Sequence, residues 1–129
     1  MIYTVIVTGP AYGIENSISA LLFSDALIIR RKHIIKSVFF YCDGVSHANK
    51  FLSAGSNILD LRKKWILFSL QNKIRLSVCF SSLLNRGIIH FKKFFGNNSL
   101  QGNLDIFFKI SNLEELSRDI QKSDRVVKF

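Results

Sequence analysis

Cys79 is the residue in this chain with the clearest chemical potential. It follows a strand-like run at residues 74–78 and precedes a short helical pattern at 81–86. Its sulfur can therefore lie near free N–H groups at the start of a helix, a setting that stabilises the nucleophilic thiolate. Free cysteine is also among the residues most often simply buried, so plain packing is the competing reading. Cys42 follows another strand-like run, at the head of a long loop, where a small partly buried side chain is its plain reading. A Cys42–Cys79 redox pair requires the two strands to be neighbours, and no C-x-x-C motif supports one.

Other candidates are weaker. Gly9-Pro10-Ala11-Tyr12-Gly13 lies between a strand and a helix, as phosphate loops do, but it lacks the Walker A ending and the dinucleotide fingerprint. Pro10 also removes one N–H from any anion nest, which favours a tight structural turn. His33, His47 and His90 are scattered, without metal-like spacing to one another or to carboxylates. His47 differs in sharing a loop with Asp43 and Asn49 that should approach the Cys79 edge, where it could supply a proton or hydrogen bond. Asp43 and Asn49 themselves read as turn residues. Ser81 and Ser82 read as helix-cap groups, and no Ser/His/Asp order is convincing. Neither a metal nor a cofactor is expected.

Composition bounds the answer without naming it. The 129 residues fit one domain, residues 1–129, and 48% apolar content excludes a disordered chain. Two cysteines cannot build a disulfide framework. Eighteen Lys and Arg against nine Asp and Glu leave a net charge of +9, which attracts phosphate backbones. The basic residues nevertheless come in small clusters, Arg30–Lys32, Arg62–Lys64 and Lys92–Lys93, each compatible with a solvated helix end or loop. No RNA-binding signature accompanies them. No targeting segment is visible, and the apolar stretch at 18–29 is interrupted by Ser19, Ser24 and Asp25, well short of the ~20 residues a membrane span needs. A cytoplasmic protein with reduced thiols is expected.

These side chains need elements to hold them. Residues 2–8 are rich in β-branched types and stop at Gly9-Pro10, which predicts a strand. Residues 14–31 predict a helix with Ile14, Ile18, Leu21, Leu22, Ile28 and Ile29 as its apolar positions. A strand follows at 34–41, then a long loop at 42–55. The next helix carries the stripe Ile58, Leu61, Trp65 and Phe68, with Ser56 or Asn57 as its cap. After the strand at 74–78 and its short helix, ended by Gly87, residues 90–102 are the least legible. Residues 104–110 predict a fourth strand. Asn112 with Glu115 predicts a capping box for a helix carrying Leu113, Leu116 and Ile120, and 125–129 a closing strand. Alternating strands and helices indicate an α/β sandwich around a largely parallel sheet, whose site lies at the carboxyl ends of the strands. The loops at 9–13 and 42–55 and the turn at Cys79 should meet there.

At these residues the chain resembles the DsrE/TusD family of sulfur-relay subunits. The likeness rests on Val7-Thr8-Gly9-Pro10-Ala11-Tyr12-Gly13, Ser37-Val38-Phe39-Phe40-Tyr41, Asp43-Gly44-Val45 with Ala48-Asn49, Cys79, Arg86-Gly87, and the ending Asp124-Arg125-Val126-Val127-Lys128-Phe129. The resemblance implies a Rossmann-like three-layer sandwich with about five strands, and a sulfurtransferase whose Cys79 carries a persulfide. It further implies a TusA-like sulfur donor, a TusE-like acceptor, TusB-like and TusC-like subunits in a heterohexamer, and 2-thiolation of tRNA wobble uridine as the end of the relay. Cys42 lies outside the matched blocks and receives no relay role. The stretches 90–98, with Phe91, Phe94 and Phe95, and 103–109 depart from the family pattern. A non-catalytic scaffold subunit and a basic RNA-binding module, with direct tRNA contact, are the alternatives. A deeply buried Cys79 sulfur facing the sheet would count heavily against the relay role.

Overall fold

The computed structural model describes residues 1–52, 59–89 and 102–129. Their elements run β1 (Ile2–Val7), α1 (Asn16–Ile29), β2 (Ile34–Phe40), a 3-10 helix (Cys42–Ala48), α2 (Leu61–Asn72), β3 (Leu76–Cys79), α3 (Phe80–Asn85), β4 (Lys109–Ser111), α4 (Leu113–Gln121) and β5 (Arg125–Lys128). The strands form one sheet in the order β4-β3-β2-β1-β5. Every neighbouring pair is parallel, so the sheet is parallel throughout rather than mainly so. Among the described residues no helix is long and apolar enough to cross a membrane.

The two faces of the sheet are covered differently. Val5, Val7, Val38, Phe40, Leu76 and Val78 join residues of α1 and α2 in the large core, with Trp65 at 0% exposure. Phe40 meets Trp65 and Phe108 edge-on at 5.5 and 5.3 Å between ring centroids, a geometry that aromatic quadrupoles favour. The alternate residues Phe39 and Cys79 point the other way and meet Leu116 of α4, with Ile6 and Tyr41 beside them. Helices on both faces make the three-layer α/β sandwich.

The structure moves several boundaries. α1 spans the predicted helix, but its buried residues are Ser17, Ala20, Leu21, Ser24 and Leu27, while Ile14, Ile18, Leu22 and Ile29 are exposed. The helix is apolar on most sides, and its small residues lie close on the core because their hydroxyls are satisfied locally. Ser24 donates to Ala20 O and Ser17 to Pro10 O. The N-cap of α2 is Asp60, whose carboxylate accepts the Lys63 N–H at 3.1 Å. The expected caps Ser56 and Asn57, and Ile58, lie outside the described residues. The loop expected at 42–55 begins with the 3-10 helix.

The strand predicted at 104–110 is only Lys109–Ser111. Leu104 and Phe108 are buried, but a turn delivers them. The Asp105 carboxylate accepts the Phe107 N–H, and Phe108 N–H donates to Asp105 O. An apolar run that fills a core from a turn has the same composition as a strand. The Asn112 side chain caps α4 by accepting the Glu115 N–H at 2.9 Å. The reciprocal arm of the predicted capping box is diverted, because the Glu115 carboxylate takes the Ser111 hydroxyl at 2.5 Å.

Candidate active site

β3 begins and ends later than predicted, so Cys79 is its last residue and also the N-cap of α3. Its register partners fix its place. Val78 lies level with Phe40 of β2, and Cys79 level with Ser111, the last residue of β4. After β3 the chain turns toward the α1/α2 face, where Leu83 of α3 joins the large core. After β4 it turns to α4 on the opposite face. Adjacent connections diverge between β3 and β4, and such a switch point opens a crevice at the strand ends. Cys79 and Ser111 are the last residues of these two strands.

Burial by itself would raise the pKa of the Cys79 thiol, yet the net shift is downward. The Ser81 hydroxyl lies 3.3 Å from Sγ, and the N–H and hydroxyl of Ser82 and the N–H of Ser81 also favour the thiolate. The two N–H groups act without closing a regular side-chain cap. Ser82 is oriented from behind. Its oxygen accepts the Cys42 N–H at 3.1 Å, leaving its own proton for the sulfur. Ser81 and Ser82, expected as helix caps, thus address the thiol instead.

The loop after β2 is held to make that contact. Cys42 adopts a left-handed conformation at φ 50°. Gly44 N–H donates to Tyr41 O, and a methyl group at Gly44 would stand 2.0 Å from the carbonyl oxygen of Val7. Only glycine allows this 3-10 helix to lie so close on the end of β1. Asp43 and Arg86 close an ion pair at 2.9 Å, and Arg86 also donates to Ser82 O.

His47 does not join the site. It is fully buried on the other face of the sheet, 5.3 Å from the Phe40 ring. Its Nε2–H donates to Gly9 O at 3.3 Å, which ties the Gly9 turn to the 3-10 helix. Burial pushes its pKa down to about 4, so it is neutral and cannot serve as a proton source near Cys79. In the 9–13 turn the Ala11 N–H donates to the Ser46 hydroxyl. Asn49 caps its own turn by accepting the Phe51 N–H. His33 packs edge-on against Tyr3, and His90 lies outside the described residues. Among the described residues no group of His, Cys, Asp and Glu could hold a metal.

One finding weighs against the relay reading of Cys79. Cys79 is 1% exposed, enclosed by Phe39 and Leu116, the burial that counts heavily against a relay. Cys42, the first residue of the 3-10 helix after the adjacent β2, is half-buried, in keeping with the packing role read for it, and both thiols are free. Ser111 was missed altogether, because its place beside Cys79 comes from strand register, which local sequence does not encode.

A cysteine thiol set at the end of the third of five parallel strands coincides with a match of residues 1–129 to the DsrE/DsrF-like family. The chain belongs to this family. It is 43% identical to the sulfurtransferase TusD of Buchnera aphidicola subsp. Schizaphis graminum over 129 residues, covering all of both chains. It is 39% identical to the sulfurtransferase TusD of Proteus mirabilis over 127 residues, covering 98% of this chain and 97% of that one. The fold matches the crystal structure of the ychN protein from E. coli with a TM-score of 0.75 at 21% identity, over the full length of both.

Proposed function

We propose that this DsrE/DsrF-like chain is a sulfurtransferase subunit that carries sulfane sulfur as a persulfide on Cys79. The observation that carries the reading is the inversion of the thiol's pKa shift. A buried cysteine serving only to pack would have its pKa raised, whereas four donors from Ser81 and Ser82 shift this thiol's pKa downward, toward the thiolate. The names of the family relatives support the same activity.

The chemistry balances without a redox partner. The Cys79 thiolate attacks the outer sulfur of a donor persulfide; the donor's S–S bond breaks, and its thiolate leaves and takes up a proton. The outer sulfur is now bonded to Cys79 Sγ. An acceptor thiolate then attacks that sulfur and releases Cys79 as thiolate, which the same donors receive. In this reading the donor is TusA-like and the acceptor TusE-like. The subunit works in the cytoplasm with TusB-like and TusC-like partners in a heterohexamer, and the relay ends in tRNA thiolation.

Incubation of the full chain with a persulfidated donor is expected to add one sulfur to Cys79, seen by intact mass and peptide mapping. The Cys79→Ser variant is expected to add none. Normal loading of that variant sinks the proposal. A second reading, a non-catalytic scaffold, draws on the 1% exposure of Cys79. It wins if Cys79→Ser still supports full sulfur transfer in the assembled complex.

A further inference from the structure

A cleft of about 380 Å³ opens on the α4 face, lined from Lys36 of β2 and from Lys73 and Arg75 just ahead of β3 to the side chains of α4. All of its lining residues are charged. Five are cations, Lys36, Lys73, Arg75, Arg118 and Lys122, set against the carboxylates of Glu115 and Asp119. The internal pairing is uneven. Arg75 is held by Asp119 at 2.5 Å, Asp119 also takes the Ser37 hydroxyl at 2.6 Å, and Arg118 pairs with Glu114. Each guanidinium, the group best matched to planar carboxylates, thus already has one nitrogen on one of the chain's own acids. The three lysines have no ion-pair partner among the described residues.

Two backbone irregularities place lysines here. β1 pairs Tyr3 with Ile35 and Thr4 with Ser37, so Lys36 is the extra residue of a bulge. Ile35 belongs to the large core, while Lys36 lines the cleft and Ser37 bonds to Asp119 of α4. The bulge turns two consecutive residues toward one face, as bulges do where a side chain is re-aimed. Lys73 ends α2 in the left-handed region at φ 55°, where glycine is the unstrained choice.

We infer that this cleft binds a phosphate oxyanion. Three unpaired ammonium groups are point charges suited to a multivalent tetrahedral anion rather than to a single planar carboxylate. The phosphate can come from a free phosphate ester or from a polynucleotide backbone. The inference is independent of the role of Cys79.

The test uses the full chain and a triple variant, Lys36→Ala, Lys73→Gly and Lys122→Ala, beside a control of equal charge change, Lys32→Ala, Lys64→Ala and Lys128→Ala. Inorganic pyrophosphate is titrated by NMR, and an RNA stem-loop by fluorescence anisotropy at several salt concentrations. Wild type and control are expected to bind one or both probes, with the cleft variant at least tenfold weaker. Tighter, salt-dependent RNA binding, with a salt slope that falls in the cleft variant, assigns the phosphate to a polynucleotide. Pyrophosphate binding with no gain for RNA assigns it to a free ester. The inference is overturned if neither probe binds, if the control loses as much as the cleft variant, or if polyglutamate displaces the probe at equal charge concentration. Because Lys73→Gly relieves a strained backbone and the other two side chains are solvent-facing, the cleft variant is expected to melt no lower than the control.

Discussion

The two faces of the sheet are built from the same strands but differ in what they place next to the backbone. Toward α1 and α2 lie Val5, Val7, Val38, Phe40 and Val78, closed by Trp65 and Phe68. Toward α4 lie Phe39 and Cys79, and most polar side chains there are bonded within the layer: Thr4 to Ser123, Ser37 to Asp119, and Ser111 to Glu115, with the buried Ser77 hydroxyl the exception. The first face holds the fold together through packing. The second holds polar groups in fixed orientation, which costs stability unless each is paired. A parallel sheet buried on both sides thus devotes one side to cohesion and the other to chemistry.

This division can be broken from either side. The largest effect is expected from Trp65→Ala, which empties the centre of the apolar layer and should cost about 4 kcal/mol in denaturant unfolding. Its melted-out core should leave the thiol reactivity of the remaining folded fraction unchanged. A loss below about 1 kcal/mol would mean that the apolar face is not the main source of stability.

His47 probes the same face through pH. It is neutral in the fold with its pKa lowered from 6.5 to about 4, so the unfolded chain binds the proton first as pH falls. Its contribution is complete above pH 6.5 and is lost between 6.5 and about 4, on the order of 3 kcal/mol. His47→Phe keeps a ring against Phe40 and removes the titration. Thermal melts of the variant should fall less steeply across that window, and identical slopes would refute the assignment.

The smallest stability effect with the sharpest chemical one is expected on the α4 side. Ser82→Ala removes a donor to Cys79 and the acceptor for Cys42 N–H, costing about 1 kcal/mol. The Cys79 thiol pKa should rise, read from thiolate ultraviolet absorbance, and sulfur loading at neutral pH should slow. If the pKa stays put, Ser82 is only structural.

The sequence carried the alternation of strands and helices, the Asn112 cap and the position of Cys79 between a strand and a helix, because each depends on nearby residues. It did not carry the outward-facing apolar side of α1, since a helix apolar nearly all round has no unique inner stripe. It placed His47 near Cys79 because both follow strands, but loop residues at one sheet edge can face opposite layers. Ser111 required the β3–β4 register. The burial of Cys79 could not be read from a pattern either, because it is set by Leu116 of α4, more than thirty residues along the chain.

The bulge at Lys36 has a consequence for changes in chain length. Insertions and deletions inside a central strand ordinarily invert every side chain beyond them. Here the opposite holds. With Lys36 deleted, Ile35 and Ser37 would become consecutive partners of Tyr3 and Thr4, and Val38, Phe39 and Phe40 would keep their present neighbours. The strand would become regular and the sheet would keep its register. Only the lysine side chain in the cleft would disappear. β2 therefore has one residue that its pairing does not require, and shortening the strand there is gentler than substituting almost any residue on either side of it.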